Sequence, residues 1–138
     1  MPTKGRILIV DDDPDFVKTT KMILMTDGYD VHVASDGKQG LEKVKEVQPD
    51  LVMLDIMMES LFEGFSFLGT LRTAPEFEPF QGIPILMVSS VRADTGSRFS
   101  FAEDQDVGDI PQPDDYLDKP LRPKELLEKV SGMVRKPK

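Results

Sequence analysis

Ile7-Leu8-Ile9-Val10-Asp11-Asp12-Asp13-Pro14 joins four consecutive branched apolar residues to three acids and a proline. An apolar run without polar alternation reads as a strand covered on both faces, the condition of an interior strand in a parallel sheet. The run stops abruptly at the acids. Pro14 suits the first position of a helix, Asp13 its cap and Asp15 its positive end. Phe16, Val17, Thr20, Ile23 and Leu24 then recur at helical spacing as far as Gly28. The order is strand, acidic loop, helix.

Outward from this unit the pattern repeats. Residues 29–34 alternate Val31 and Val33 with Asp30 and His32, as a half-exposed edge strand does. Leu41, Val44 and Val47 line one face of a second helix that stops before Pro49. Leu51-Val52-Met53-Leu54 is another fully apolar strand, again closed by an acid, Asp55, and Phe65, Leu68 and Leu71 mark a third helix. Residues 83–88 form a fourth strand that delivers Ser89 and Ser90. Tyr116-Leu117-Asp118 is a short fifth strand running into Lys119-Pro120, and Pro123 opens a helix carrying Leu126, Leu127, Val130 and Met133. Five strands alternating with helices imply an α/β fold with a doubly wound parallel sheet.

The composition narrows the function. A chain of 138 residues, 39% hydrophobic with 10 Gly and 11 Pro, fits one compact domain. Twenty-five acids against 17 basic residues give a net charge of −8, which makes nucleic acid and anionic membranes poor partners. No apolar run approaches the ~20 residues of a membrane span, and residues 1–6 lack the apolar segment of a secretory signal. A cytoplasmic protein is expected. The absence of Cys excludes disulfides, thiol catalysis and thiolate zinc sites, and the single His32 reads as a surface residue of the edge strand. The eight Met residues read as core filler. Residues 91–115 hold seven acids and two arginines, a net −5, with two glycines, two prolines and no sustained helical period. They read as a long irregular loop.

Ligands of a doubly wound sheet bind beyond the carboxyl ends of its strands. Those ends carry Asp11, Asp12, Asp55, Ser89 and Lys119. Two carboxylates ~4 Å apart repel by roughly 4 kcal/mol at an effective dielectric near 20, so a cation among three of them is the simplest remedy. Magnesium suits such a cup, because it prefers hard oxygen ligands and keeps several waters. Lys119 and the Ser89 hydroxyl supply donors for an anion beside the metal, the set phosphoryl transfer requires, and a carboxylate can serve as its nucleophile.

With these residues assembled, the chain resembles a response regulator receiver domain of two-component signalling from Arg6 to Val134. The resemblance rests on Ile7-Leu8-Ile9-Val10-Asp11-Asp12-Asp13, Leu51-Val52-Met53-Leu54-Asp55-Ile56-Met57-Met58, Pro84-Ile85-Leu86-Met87-Val88-Ser89 and Tyr116-Leu117-Asp118-Lys119-Pro120, in this order. It implies a flavodoxin-like sheet of strand order 2-1-3-4-5. It further implies that Asp55 is the phosphoacceptor, taking the group from a sensor histidine kinase or a histidine phosphotransfer protein. Asp12, Asp55 and the Met57 carbonyl would ligate Mg2+ directly, with Asp11 holding a metal-bound water. Ser89 and Lys119 would contact the phosphoryl group, the Lys119-Pro120 bond would be cis, and Ser89 with Tyr116 would form the switch.

The resemblance implies no enzyme beyond Mg2+-dependent self-phosphorylation and slow autodephosphorylation. The expected unit is a stand-alone receiver over 1–138, with its core at 6–134 and an irregular insertion at 91–115, acting through a downstream protein target. Two departures from the family pattern stand out. Met58 is followed by Glu59 where receivers have Pro, with Gly64 about one residue late, and residues 91–115 replace or reduce the helix that receivers place between strands four and five. Two other readings use the same residues. One is a receiver-like interaction module independent of phosphorylation. The other is a haloacid-dehalogenase-type phosphatase with Asp11 as nucleophile and Asp13 as acid, against which stand Pro14, where that family has Thr or Val, and the lack of any cap domain.

Overall fold

The computed structural model describes residues 4–55, 61–89, 114–118 and 122–134. Along them run β1 (Arg6–Val10), α1 (Pro14–Thr26), β2 (Asp30–Ala34), α2 (Gly37–Val47), β3 (Leu51–Asp55), α3 (Leu61–Thr73), a 3-10 helix (Pro75–Phe80), β4 (Ile85–Ser89), β5 (Asp115–Asp118) and α4 (Pro123–Met133). The strands pair in parallel in the order β2-β1-β3-β4-β5, as expected. Among the described residues, no helix is long and apolar enough to cross a membrane.

The alternation of each strand divides the core between two layers. Leu8, Val10, Val52, Leu54, Ile85 and Met87 pack with Val44 of α2 and Phe67, Leu68 and Leu71 of α3 on one side. Ile7, Ile9, Leu51, Met53, Leu86, Val88 and Leu117 pack with Leu24 of α1 and Leu126 and Val130 of α4 on the other. The uninterrupted apolar runs Ile7–Val10, Leu51–Leu54 and Ile85–Val88 therefore lie in β1, β3 and β4, the interior strands, where each apolar residue has a helix layer above or below it. Met53 and Met87 are core residues, whereas Met22 and Met25 of α1 are exposed.

Helix ends follow the sequence signals. The Asp13 carboxylate accepts the N–H groups of Asp15 and Phe16, and that of Asp36 accepts the N–H of Gln39. α2 closes on Gln48, which takes a left-handed conformation (φ 55°) ahead of Pro49. The 3-10 helix, for which the sequence analysis carries no expectation, holds two prolines in six residues. Its Phe77 nevertheless plugs the α2–α3 side of the core, edge-on to Phe80, with the Lys45 ammonium 4.8 Å from the Phe77 ring centre.

Most of the insertion expected over 91–115 lies outside the described residues, and so does any reduced helix within it. Its last two residues are corrected. The Asp114 N–H donates to the Ile85 carbonyl at 2.9 Å, and Asp115 opens β5. Asp115 thus belongs to the sheet and Asp114 to its approach, and each has a cation partner, Lys129 and Arg72 respectively.

Close approach of α2 to the sheet depends on Gly40. A Cβ at that position would lie 2.8 Å from the Phe67 ring and 3.0 Å from a Val10 methyl, both buried. Gly69 of α3 has nothing within 4 Å of the same hypothetical atom. The two glycines should therefore respond oppositely to alanine in denaturant unfolding. Gly40→Ala should lose about 1–3 kcal/mol through overpacking, while Gly69→Ala should gain up to about 1 kcal/mol from helix propensity.

Candidate functional site

The register of β1 on β3 pairs Val10 with Leu54, so the next residues, Asp11 and Asp55, emerge side by side at the carboxyl edge of the sheet. This is also where strand order reverses, since the chain passes from β1 outward to β2 and returns to the other side as β3. The Asp11 N–H extends the ladder by donating to the Ala34 carbonyl at 3.0 Å. One carboxylate oxygen of Asp11 accepts the Asp13 N–H at 2.9 Å, which ties the acid to the turn that caps α1.

Asp11, Asp12 and Asp55 each bring a carboxylate oxygen within 4.8 Å of the others. Asp11 and Asp55 are 2% and 5% exposed, while Asp12 faces solvent. Two buried carboxylates and one open one make a cup with a single wet side. At this spacing each charged pair repels by roughly 3 kcal/mol at an effective dielectric near 20, so the arrangement favours a bound cation. All three donors are hard oxygens, and the open side leaves room for the waters magnesium retains. The only histidine, His32, lies on the edge strand β2 with Nε2 3.1 Å from the Asp30 carboxylate, outside this cluster. Nitrogen and sulfur ligands for zinc are absent from the site. Asp11 and Asp12 also line an open cleft of about 510 Å3 between α1 and β2, together with Val17, Lys18, Lys21 and Val33.

Of the other expected site residues, the described ones, Ser89 and Tyr116, belong to β4 and β5. Ser89 closes β4 opposite Asp118 of β5, one residue beyond the Asp55–Val88 pair. The Ser89 hydroxyl, Met57, Glu59, Lys119 and Pro120 lie outside the described residues. Tyr116 is half-buried, its ring packed against the α2–α3 side of the core. Asp13 serves as the α1 cap, which leaves its carboxylate engaged with backbone rather than offered to a substrate.

Four residues without a role in the sequence analysis, Arg72, Asp114, Asp115 and Lys129, also govern β5. Burial disfavours charge on Asp115, yet hydrogen bonds from Lys129 Nζ at 2.9 Å and from the Tyr116 N–H at 2.8 Å outweigh it and hold its pKa below the ordinary carboxylate value. Asp114 pairs with Arg72 of α3 at 2.7 Å. The available signal was two acids at the mouth of a strand, hidden by the acidic run before them.

Comparison with known proteins agrees with this geometry. Residues 7–131 match the family model described as the response regulator receiver domain. The DNA-binding response regulator MtrA of Mycolicibacterium smegmatis is 36% identical over 133 residues, 96% of this chain and 52% of that protein. The DNA-binding dual master transcriptional regulator RpaA of Synechocystis is 35% identical over 131 residues, 95% and 49%. The chain thus spans about half the length of the curated relatives it matches. Among solved structures, a CheY-like response regulator receiver domain protein from Methanospirillum hungatei superposes with a TM-score of 0.71 at 32% identity, covering 95% of this chain and 93% of that one. The chemotaxis response regulator CheY4 of Vibrio cholerae gives 0.75 at 25%, covering 96% and 100%.

Two measurements follow. Magnesium should raise the unfolding midpoint, by about 2.7 kcal/mol of stability at a hundredfold excess over Kd, and Asp12→Ala should abolish the rise while itself stabilising the metal-free protein. As for Asp115, a depressed folded-state pKa contributes stability present above the unfolded carboxylate pKa and lost as pH falls through the folded one. The pair is partly exposed, so the screened contribution is about 0.5 kcal/mol. Lys129→Met should remove that increment at neutral pH and leave stability below the carboxylate range unchanged in acid titration.

Proposed function

We propose, from the premise that the chain belongs to the response regulator receiver domain family, that it accepts a phosphoryl group on Asp55 and alters partner binding in response. The observation that carries this reading is the convergence of Asp11, Asp12 and Asp55 within 4.8 Å at the reversal point of the sheet. In the reaction, an Asp55 carboxylate oxygen attacks the phosphorus of a phosphohistidine on a kinase or phosphotransfer protein. The P–O bond forms as the P–N bond breaks, and the departing imidazole keeps the electron pair and takes up a proton. Water later cleaves the acyl phosphate to regenerate Asp55 and release phosphate.

Mg2+ would be held by Asp12, Asp55 and the Met57 carbonyl, with Asp11 acting through a water, and its chemistry is charge neutralisation at the phosphoryl oxygens. Lys119 pairs with the phosphoryl group and Ser89 hydrogen-bonds it. Tyr116, half-buried beside β4, is the side chain that follows Ser89 when the phosphoryl group is present. The charge added at Asp55 then biases a two-state element.

We read residues 1–138 as one receiver domain with its core at 6–134 and an insertion that ends before Asp114, in a cytoplasmic setting. The output of this segment is contact with a downstream protein. Its net charge of −8 disfavours direct contact with nucleic acid, and the DNA binding named for MtrA and RpaA is a property of those longer proteins. The dehalogenase-type alternative loses support from Asp13, whose carboxylate caps α1.

Intact-mass analysis after exposure to a small acyl-phosphate donor with Mg2+ tests the reading. One added PO3 group per chain, absent in Asp55→Asn and absent under chelation, is the expected result. No addition to the unmodified chain, or retention of the addition in Asp55→Asn, defeats it, and sustained turnover of a phosphate ester would favour the phosphatase.

A further inference from the structure

β5 is a four-residue strand that, among the described residues, pairs with β4 alone, and its sequence runs directly into Lys119. Something must fix where it lies. Adjacent residues of a strand face opposite layers, and β5 obeys this, with Tyr116 packed on the α2–α3 side and Leu117 on the α1–α4 side. The two acids at its entrance continue the alternation. Asp114 meets Arg72 of α3 at 2.7 Å, and Asp115 meets Lys129 of α4 at 2.9 Å. Each layer thus supplies one cation to one acid.

The Arg72 side is the more elaborate. Its guanidinium, 16% exposed, donates through Nη1 to the carbonyls of Gln81 and Ile83, and through Nη2 to Asp114. The same Asp114 oxygen accepts the Ile85 N–H at 2.8 Å, while the Asp114 N–H donates to the Ile85 carbonyl at 2.9 Å. Arg72 therefore joins the end of α3, the approach to β4 and the start of β5 through one planar fork, a geometry that an ammonium cannot reproduce.

We propose that Arg72 is a positioning residue for the phosphoryl site, setting through Asp114 the register on β4 of β5, the strand whose sequence runs on into Lys119. The effect on phosphorylation rests on the function proposed above, whereas the effect on register stands without it. Arg72 lies at the opposite edge of the sheet from Asp55 and touches none of the three acids of the site. Losing it should leave the metal cup on β1 and β3 intact and displace only the half of the site delivered by β5.

The test uses Arg72→Met and Arg72→Lys, with Asp114→Asn as the milder variant should Arg72→Met fail to fold. Three quantities are read on the full chain: the rate of phosphorylation by a small acyl phosphate, the Mg2+ affinity from amide shifts, and cross-strand contacts between Leu86–Ser89 and Asp115–Asp118 in nuclear Overhauser spectra. Arg72→Met should slow phosphorylation between about ten- and a hundredfold, the scale of a misplacement of about 1 Å. Mg2+ affinity should stay within about twofold, and the β4–β5 contacts should weaken or shift. Arg72→Lys should recover only part of the rate. Unchanged β4–β5 contacts in Arg72→Met and Asp114→Asn overturn the proposal, as does a loss of Mg2+ affinity in step with the rate. An unmodified chain that is never phosphorylated, combined with β5 displaced in the variants, would sink the proposed function and leave the register assignment standing.

Discussion

Mutual repulsion among Asp11, Asp12 and Asp55 is the constraint to which the rest of the molecule answers. Like charges held within 4.8 Å, two of them buried, cannot be supported by a loop that is free to relax. They are held because β1 and β3 are adjacent interior strands of the sheet, packed on both faces and hydrogen-bonded on both edges. The apolar runs that make those strands rigid and the acids that end them are one device. Softer strands would let the carboxylates part, and the cup would lose its reason to bind a cation.

That coupling explains why so much was legible in the sequence. A fully apolar strand that ends in an acid announces both an interior position and a strand terminus at the ligand edge, so Asp11, Asp12 and Asp55 could be picked out before any fold was seen. The caps were legible for a similar reason, since Asp13 before Pro14 has one obvious use and the structure shows that use. Local signals act over three or four residues, and the chain is faithful to them.

What escaped the sequence is tertiary by nature. Arg72 and Asp114 are 42 positions apart, and nothing near either residue names the other. Asp114 and Asp115 close an acidic run, so they read as solvated charge until the helices on either side bring Arg72 and Lys129 to them. Phe77 sits between two prolines, where turn chemistry predicts exposure, yet the core between α2 and α3 needed a large ring at that place. Gln48 takes a left-handed conformation that favours glycine, because Pro49 forbids the helix from continuing and the chain must still turn toward β3.

Two groups of acids around the sheet therefore differ in role, and position rather than residue type separates them. At the amino end of β5, Asp114 and Asp115 each face a cation from a different helix layer, so their charge is spent on holding a strand. At the carboxyl ends of β1 and β3, three acids bring carboxylate oxygens within 4.8 Å of one another, a grouping that could hold a metal ion. A parallel sheet makes this division natural, because all its strands point the same way and one edge gathers every carboxyl terminus. Acids matched within the fold report on architecture, and acids crowded together report on chemistry. Composition counts both alike in the net charge of −8, which is why the total says so little about where the chain binds its ligand and the topology says so much.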